Sequence, residues 1–417
     1  MSLALPLYSA ATGLLEPLAP GLLRWRAARG KEDLARLGER SGRSGARRPD
    51  GPLVWLHGVS VGESLSLLPL AQALRARRPG LNLLVTSGTR TSADLLAARL
   101  PAGAIHQYIP VDGPASVGRF LDHWRPDAGI LVESELWPNL ITLAHRRGMK
   151  LVLASARMTK ASARGWARAP RAARALLEAF AVILPQEGET AERLAGLGGR
   201  VGPHLNLKLV GEPLPHDADE LAGLKAGLGD RPVILAASTH PGEEAIIAGA
   251  VRELPALLVI APRHPDRGPA VAETLRAAGF TVARRGAGEA LTPAVTAYVA
   301  DTLGEMGLFF RLADIAVMGG SLVPGIGGHN PLEPARLGTP VVTGPQVSNA
   351  AAVYEAMLDE TAAISAADGA DLRRHLAGLL AYPDIRARIG EAGFDFAQAQ
   401  GAALDTALDL LEPLLPA

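Results

Sequence analysis

Apolar residues along this chain fall into short runs, and each run is followed by a stretch with helical spacing. Runs at 52–56, 81–85, 105–109, 129–132, 151–154 and 182–184 read as strands buried on both faces, because polar positions do not alternate within them. Helical patterns begin near Gly62, Ser92, Val117 and Leu136, and a long Ala/Arg-rich helix follows residue 154. A second strand series occupies 232–237, 257–261, 281–283, 296–300, 315–318 and 341–343. Strands alternating with helices predict an α/β protein whose parallel sheets are covered by helices. The pattern loosens over 201–212, and 216–230 reads as a short linking helix, so the chain divides into two Rossmann-like halves facing a cleft. The expected boundaries are an N-terminal segment at 1–31, a first domain at 32–210, a second at 211–395, and a C-terminal helix at 396–417 that packs back on the first domain.

The N-terminal segment has its own character. Residues 3–23 are apolar apart from Glu16 and a few hydroxyls, and Arg24, Arg26, Arg29 and Lys31 follow with Trp25 among them. That order suits a cytoplasmic membrane interface. The length approaches a bilayer's thickness, but Glu16 and three prolines argue for a shallow interfacial anchor over a spanning helix. No small-residue cleavage site marks a removed signal peptide. The alternative is a surface hairpin docked on the first domain.

Composition narrows the functions. Lys plus Arg equals Asp plus Glu at 42 each, and aromatics make up 4% of residues, so neither field nor stacking platform favours nucleic acid. The absence of cysteine excludes disulfides and thiolate metal sites. His57, His240, His264 and His329 lack metal-ligand spacing, so no metal and no cofactor is expected. Asp217-Ala-Asp219 imitates a metal-binding pair of aspartates but falls in the linker, where it reads as noise.

Ligands of doubly wound sheets bind beyond the carboxyl ends of the strands. At those ends the first half carries HGVSVGES (57–64), SGT (87–89), ESELWPN (133–139) and SAR (155–157). The second half carries STHPG (238–242), PRHP (262–265), DTLGEM (301–306) and a glycine-rich loop from Gly319 to Glu333. In that loop Gly327 and Gly328 would let backbone approach a ligand, Asn330 would cap a helix, and Pro331 would take its first position. Together they predict an anion site, with Glu333 one turn further in and within reach of a sugar hydroxyl. Ser238, Thr239 and Arg263 add anion donors. Among the carboxylates Glu63, Glu133 and Glu135, one could act as general base toward a hydroxyl. Glu63 lies in the first turn of its helix, where the dipole keeps a carboxylate ionised. It reads equally as a helix cap, and Glu133 and Glu135 read equally as loop ties. Leu65, Leu67 and Leu68 would line an acceptor groove beside Glu63.

Six motifs in order, VSVGES, ESELWPNL, ASTHPGEE, APRHPDR, DTLGEMG and GGSLVPGIGGHNPLEPA, resemble the 3-deoxy-D-manno-octulosonic acid (Kdo) transferases of lipopolysaccharide synthesis, over roughly residues 25–405. The resemblance implies a GT-B glycosyltransferase that moves Kdo from CMP-Kdo to a lipid A precursor with inversion, at the cytoplasmic face of the bacterial inner membrane. It implies Glu63 as the base. For CMP-Kdo it implies Ser238, Thr239, Arg263, His264, Gly304, Glu305, Met306, Gly327, Gly328, Asn330 and Glu333. Ser60, Ser64, Glu133, Glu135 and Arg157 are then expected around the acceptor. Ser155 stands where relatives often carry Asn, Leu205 stands where a Gly is usual, and the loop before Gly327 is a residue longer. Two rivals are a GT-B enzyme acting on a UDP-sugar, whether transferase or epimerase, and a non-catalytic two-domain sugar-binding protein. CMP against UDP binding separates the first, and dispensability of Glu63 the second.

Overall fold

The computed structural model describes residues 3–416, so Met1 and Ser2 of the expected N-terminal segment and Ala417 of the C-terminal one lie outside the described residues. The chain forms two compact units, Met1–Gly211 with Gln400–Ala417, and Glu212–Ala399.

In the first unit β1 (Leu53–His57), β2 (Asn82–Ser87), β3 (Ile105–Tyr108), β4 (Ala128–Val132), β5 (Lys150–Ala156) and β6 (Phe180–Pro185) form one sheet in the order β3-β2-β1-β4-β5-β6. Every pairing is parallel. β1 is buried throughout: Leu53 and Trp55 enter one core, Val54 and Leu56 the other, as successive side chains must. The indole of Trp55 donates to Thr86 Oγ1 at 2.8 Å, so its burial leaves no unmet donor.

Helix Val61–Arg77 puts Leu67, Leu70 and Leu74 into the second of these cores. The long helix Pro383–Leu411 brings Leu404, Leu408 and Leu411 to the same core, so its C-terminal part does pack back on the first unit. Arg77 pairs with Asp405 at 3.0 Å and with Asp409, and Arg78 with Glu412.

The N-terminal segment folds as helices Ala4–Leu15 and Ala19–Ala27 joined by a 3-10 turn, Glu16–Leu18. No described helix is long and apolar enough to cross a membrane. One side docks on the unit. Tyr8 donates its hydroxyl to Asp112 at 3.0 Å, Asn139 Nδ2 donates to Thr12 Oγ1 at 2.9 Å, and Glu16 accepts the N–H groups of Ala115 and Ser116. Glu16 thereby caps helix Pro114–Trp124. The other side leaves Leu3, Leu7, Leu14 and Leu18 between 66% and 81% exposed. The docked alternative therefore describes one face, although the segment is a nearly continuous run of helical turns and not a hairpin, and an apolar stripe describes the other.

The second unit carries β7 (Val233–Thr239), β8 (Leu257–Pro262), β9 (Val282–Arg284), β10 (Ala297–Val299), β11 (Ile315–Met318), β12 (Val341–Thr343) and β13 (Ala363–Ser365). They form one parallel sheet ordered β13-β12-β11-β7-β8-β10-β9. β13 is an edge strand of three residues, too short to show as an apolar run. Asp217 caps helix Ala218–Leu228 by accepting the N–H groups of Asp219 and Glu220, which accounts for the aspartate pair without a metal. The helix expected after Asn330 is only one turn, Leu332–Ala335, and the chain leaves it through Gly338, whose φ of 71° is left-handed. Asn330 Oδ1 does accept the Leu332 N–H, at 3.1 Å, while Pro331 stands one position earlier than expected. So short a helix has little dipole to offer an anion.

Candidate active site

Strand order reverses between β1 and β4 in the first sheet and between β7 and β11 in the second, and in doubly wound sheets such a reversal is where a ligand crevice is expected. The sequence-predicted residues follow the carboxyl ends of β1, β4 and β5 in the first sheet and of β7, β8, β10 and β11 in the second. Three non-glycine residues there have left-handed backbones: Glu133 after β4 (φ 61°), Ser155 in β5 (φ 49°) and Ser238 in β7 (φ 59°). Such strain persists only where surrounding structure holds it, and it concentrates at functional sites.

At the first crevice Ser60 caps helix Val61–Arg77, and Glu63 completes a capping box. The Glu63 carboxylate accepts the Val59 N–H at 2.6 Å and the Ser60 hydroxyl at 2.8 Å. Residue 58 must be glycine here, since a Cβ on it would lie 2.9 Å from Glu63 Cβ. Glu63 is half-buried, so its capping carboxylate is not sealed from solvent. Glu133 pairs with Lys208 Nζ at 2.6 Å, which its backbone turn makes possible. Glu135 accepts from Trp137 Nε1 and lies 3.6 Å from Nε2 of the buried His57. Arg157 is exposed, and its N–H donates to Glu133 O at 3.2 Å. Ser155 Oγ accepts the Leu207 N–H and faces Gln186 Nε2, tying the 205–208 turn to β5. Two expectations change. Ser64 and Leu67 are fully buried and Leu68 is buried, the two leucines in the core; only Leu65 of the expected groove is exposed.

At the second crevice a buried carboxylate does the organising. Glu243 accepts four N–H groups: His240 at 2.9 Å, Gly320 at 2.7 Å, Ser321 at 3.0 Å and Leu322 at 2.9 Å. Thr239, expected to grip an anion, instead donates to Glu244 Oε1 at 2.9 Å, which also takes Arg267 Nη1 at 2.8 Å. The N–H groups of Gly327 and Gly328 are likewise committed, both to Gly320 O, at 3.1 and 2.7 Å. Their glycine identity follows from φ values of 95° and 78° and from close contact with residues 346–349, not from donors presented to a ligand. What stays open to solvent is Arg263, His264 and Asn330, with Ser238 half-exposed. Burial raises the Glu333 carboxyl above the usual carboxylate range, opposed by Arg336, Asn330 and Arg263.

The 301–306 motif lies beside a cavity of about 990 Å³ lined by Leu224, Leu291, Tyr298, Thr302, Leu303 and Glu305, among others. Gly304 turns with φ 82°. Glu305 begins helix Met306–Leu312, and its carboxylate holds Arg285 through contacts at 2.7 and 2.5 Å. The Arg285 hydrogen bond keeps that carboxyl below its ordinary range. Among the described residues no group of three or more His, Asp or Glu is arranged to hold a metal ion.

A family profile described as 3-Deoxy-D-manno-octulosonic-acid transferase (kdotransferase) matches residues 35–210. The chain is 36% identical over 433 residues to the 3-deoxy-D-manno-octulosonic acid transferase of Bordetella pertussis, covering 98% of this chain and 99% of that one. It belongs to the Kdo transferase family. A probable mitochondrial member from Arabidopsis thaliana is 37% identical over 366 residues, covering 84% of this chain and 82% of the other. Acinetobacter baumannii MurG superposes with a TM-score of 0.55 at 12% identity, over 85% of this chain and 99% of that one, which shows a shared GT-B fold.

For this Kdo transferase family member, sequence reasoning missed Glu243 and Glu244 as loop organisers, although both lie inside ASTHPGEE. The signal was a glutamate placed three residues after His240, where it can reach back to a backbone N–H, as in a capping box.

Proposed function

We infer that the protein is an inverting glycosyltransferase that moves Kdo from CMP-Kdo to a hydroxyl of a lipid A precursor. The observation that carries this reading is the division of charge between the two crevices. A solvent-reaching carboxylate, Glu63, stands at the first, and cationic side chains led by Arg263 stand at the second. Glu63 takes the proton of the acceptor hydroxyl, whose oxygen bonds to the anomeric carbon of Kdo. The bond from that carbon to the phosphate oxygen breaks, and CMP leaves with the electron pair. Arg263 stabilises the phosphate as charge grows on it, with Ser238, His264, Asn330 and Glu333 around the nucleotide and its ribose. The cavity beside Thr302 and Leu303 suits a pyrimidine base, with Gly304, Glu305 and Met306 at its edge. Incubation with CMP-Kdo and a lipid A precursor should give free CMP and an acceptor heavier by Kdo, read by mass spectrometry. Transfer from a UDP-sugar alone would overturn this reading.

Arg263→Ala should weaken CMP binding by roughly 1.5–3 kcal/mol, the worth of one charge-assisted hydrogen bond. Calorimetry on a folded variant checks this, and unchanged affinity removes Arg263 from the site.

We place the enzyme at the cytoplasmic face of the bacterial inner membrane, where an acylated acceptor resides. Leu3, Leu7, Leu14 and Leu18 recur at a spacing that puts them on one side of a helix turning once in about 3.6 residues. They stand beside Arg24, Arg29 and Lys31, all exposed. Such a stripe suits shallow insertion with electrostatic help from anionic headgroups. Deleting the segment would also uncap helix Pro114–Trp124, so point changes test it better. Gln at Leu7, Leu14 and Leu18 together should abolish most binding to anionic vesicles in co-sedimentation. Transfer to a detergent-dispersed acceptor should persist. Undiminished vesicle binding would show that the stripe has no membrane role.

A further inference from the structure

The second crevice contains a contact that the donor reading does not use. His240 at the end of β7 and His329 in the loop after β11 meet across the strand reversal, with Nε2 2.9 Å from Nε2. The ring planes differ by 11° and the centres are 5.1 Å apart. Two imidazoles meeting nitrogen to nitrogen in line, edge to edge, give that separation. A hydrogen bond of this kind needs one nitrogen with its proton and one without. The pair can therefore be neutral or carry a single charge, but a doubly charged pair would set two N–H groups against each other.

The surroundings are matched to an incoming anion. Arg263 and His264 follow β8, with His264 edge-on to His240, and Arg267 lies in the next turn. On the opposing side Glu243 is the nearest carboxylate, at the start of helix Glu243–Val251, and it is saturated by backbone N–H groups. Glu244 is held by Arg267. Tyr354 fixes the His329 end by donating its hydroxyl to the His329 carbonyl at 2.8 Å. Burial first, and then neighbouring imidazoles and arginines, hold both rings below the ordinary histidine range against the opposing charge of Glu243, so the pair is neutral near pH 7.

We propose that His240 and His329 form a further anion-binding element of the donor site, which takes up one shared proton when the nucleotide's phosphate is seated beside it. This rests on the CMP-Kdo reading above. The pair then acts as a second cation next to Arg263 only while an anion is present, so the empty crevice avoids extra like-charge repulsion. The sign follows from linkage: the proton is bound more tightly in the complex than in the free protein, so affinity rises as pH falls. The rise approaches tenfold per pH unit between the two pKa values of the pair and levels off below the lower one.

Calorimetric titration of the full-length protein with CMP, at pH 7.5 in buffers of different ionisation enthalpy, tests this. The expected result is net uptake of up to one proton per CMP. The phosphate of CMP cannot mimic it, because entering a cationic site makes a phosphate release protons. His329→Gln and His240→Gln keep a polar side chain but cannot take up the proton. Each should abolish uptake and flatten the pH dependence while the thermal midpoint stays within a few degrees of wild type. CMP binding without proton uptake, or uptake that survives in both variants, overturns the inference alone. Failure of CMP to bind the wild-type protein overturns the donor reading, and this inference with it.

Discussion

Glu63→Gln is expected to lower the rate of Kdo transfer by about two to four orders of magnitude, the usual effect of losing a general base. The substitution is informative because Glu63 has two roles in the structure. Its carboxylate closes the capping box with Ser60 and Val59, and a glutamine can still accept the Val59 N–H and donate to the Ser60 hydroxyl. Folding should therefore change by less than about 1 kcal/mol, while an amide cannot accept the acceptor's proton. Single-turnover transfer, CMP calorimetry and a thermal melt on one preparation separate the roles. Lost transfer with intact CMP binding and an intact melt is the signature of a base. Wild-type transfer would leave Glu63 as a cap and nothing more.

The second large effect is expected at Glu243, through the fold. Its carboxylate is fully buried and takes four backbone N–H groups from the β7 end and the glycine loop after β11. Glu243→Ala leaves those donors with no acceptor. A buried unmet donor costs about 1–3 kcal/mol, and entering water recovers part of it, so the second unit should lose about 3–5 kcal/mol. Chemical denaturation should show an earlier transition for that unit, with two transitions in place of one if the units unfold separately. CMP affinity should fall as well, because the loop carrying His329 and Asn330 rests on Glu243. An unchanged denaturation midpoint would show that water replaces the carboxylate without loss.

Most of the strands that sequence alone placed well are buried on both faces, although the edge strands β3 and β9 were also placed within one residue. The run at 52–56 became β1 within one residue, and 315–318 became β11 as read, since a strand hidden on both sides must be apolar throughout. β13, a three-residue edge strand with one buried residue, was missed. The capping alternative for Glu63 was legible because a cap is local, with donor and acceptor within four residues. The docking of the N-terminal segment was open, since a leucine stripe looks the same whether it meets protein or lipid.

Local pattern thus determined the strands, most of the helices, the division into two α/β halves and the strand ends where chemistry would sit. Tertiary structure decided which of the polar groups at those ends are already spent. Thr239 looked like an anion donor in sequence, and Gly327 and Gly328 like places where backbone meets a ligand, yet the folded turns tie Thr239 to Glu244 and both glycine N–H groups to Gly320 O. His240 and His329 are separated by 89 residues and looked like unrelated histidines, but the reversal of strand order between β7 and β11 sets them nitrogen to nitrogen. Hydrogen bonds act over about 3 Å whatever the distance along the chain. Spacing therefore shows which groups a strand end presents, and only the folded sheet shows which remain free for a ligand.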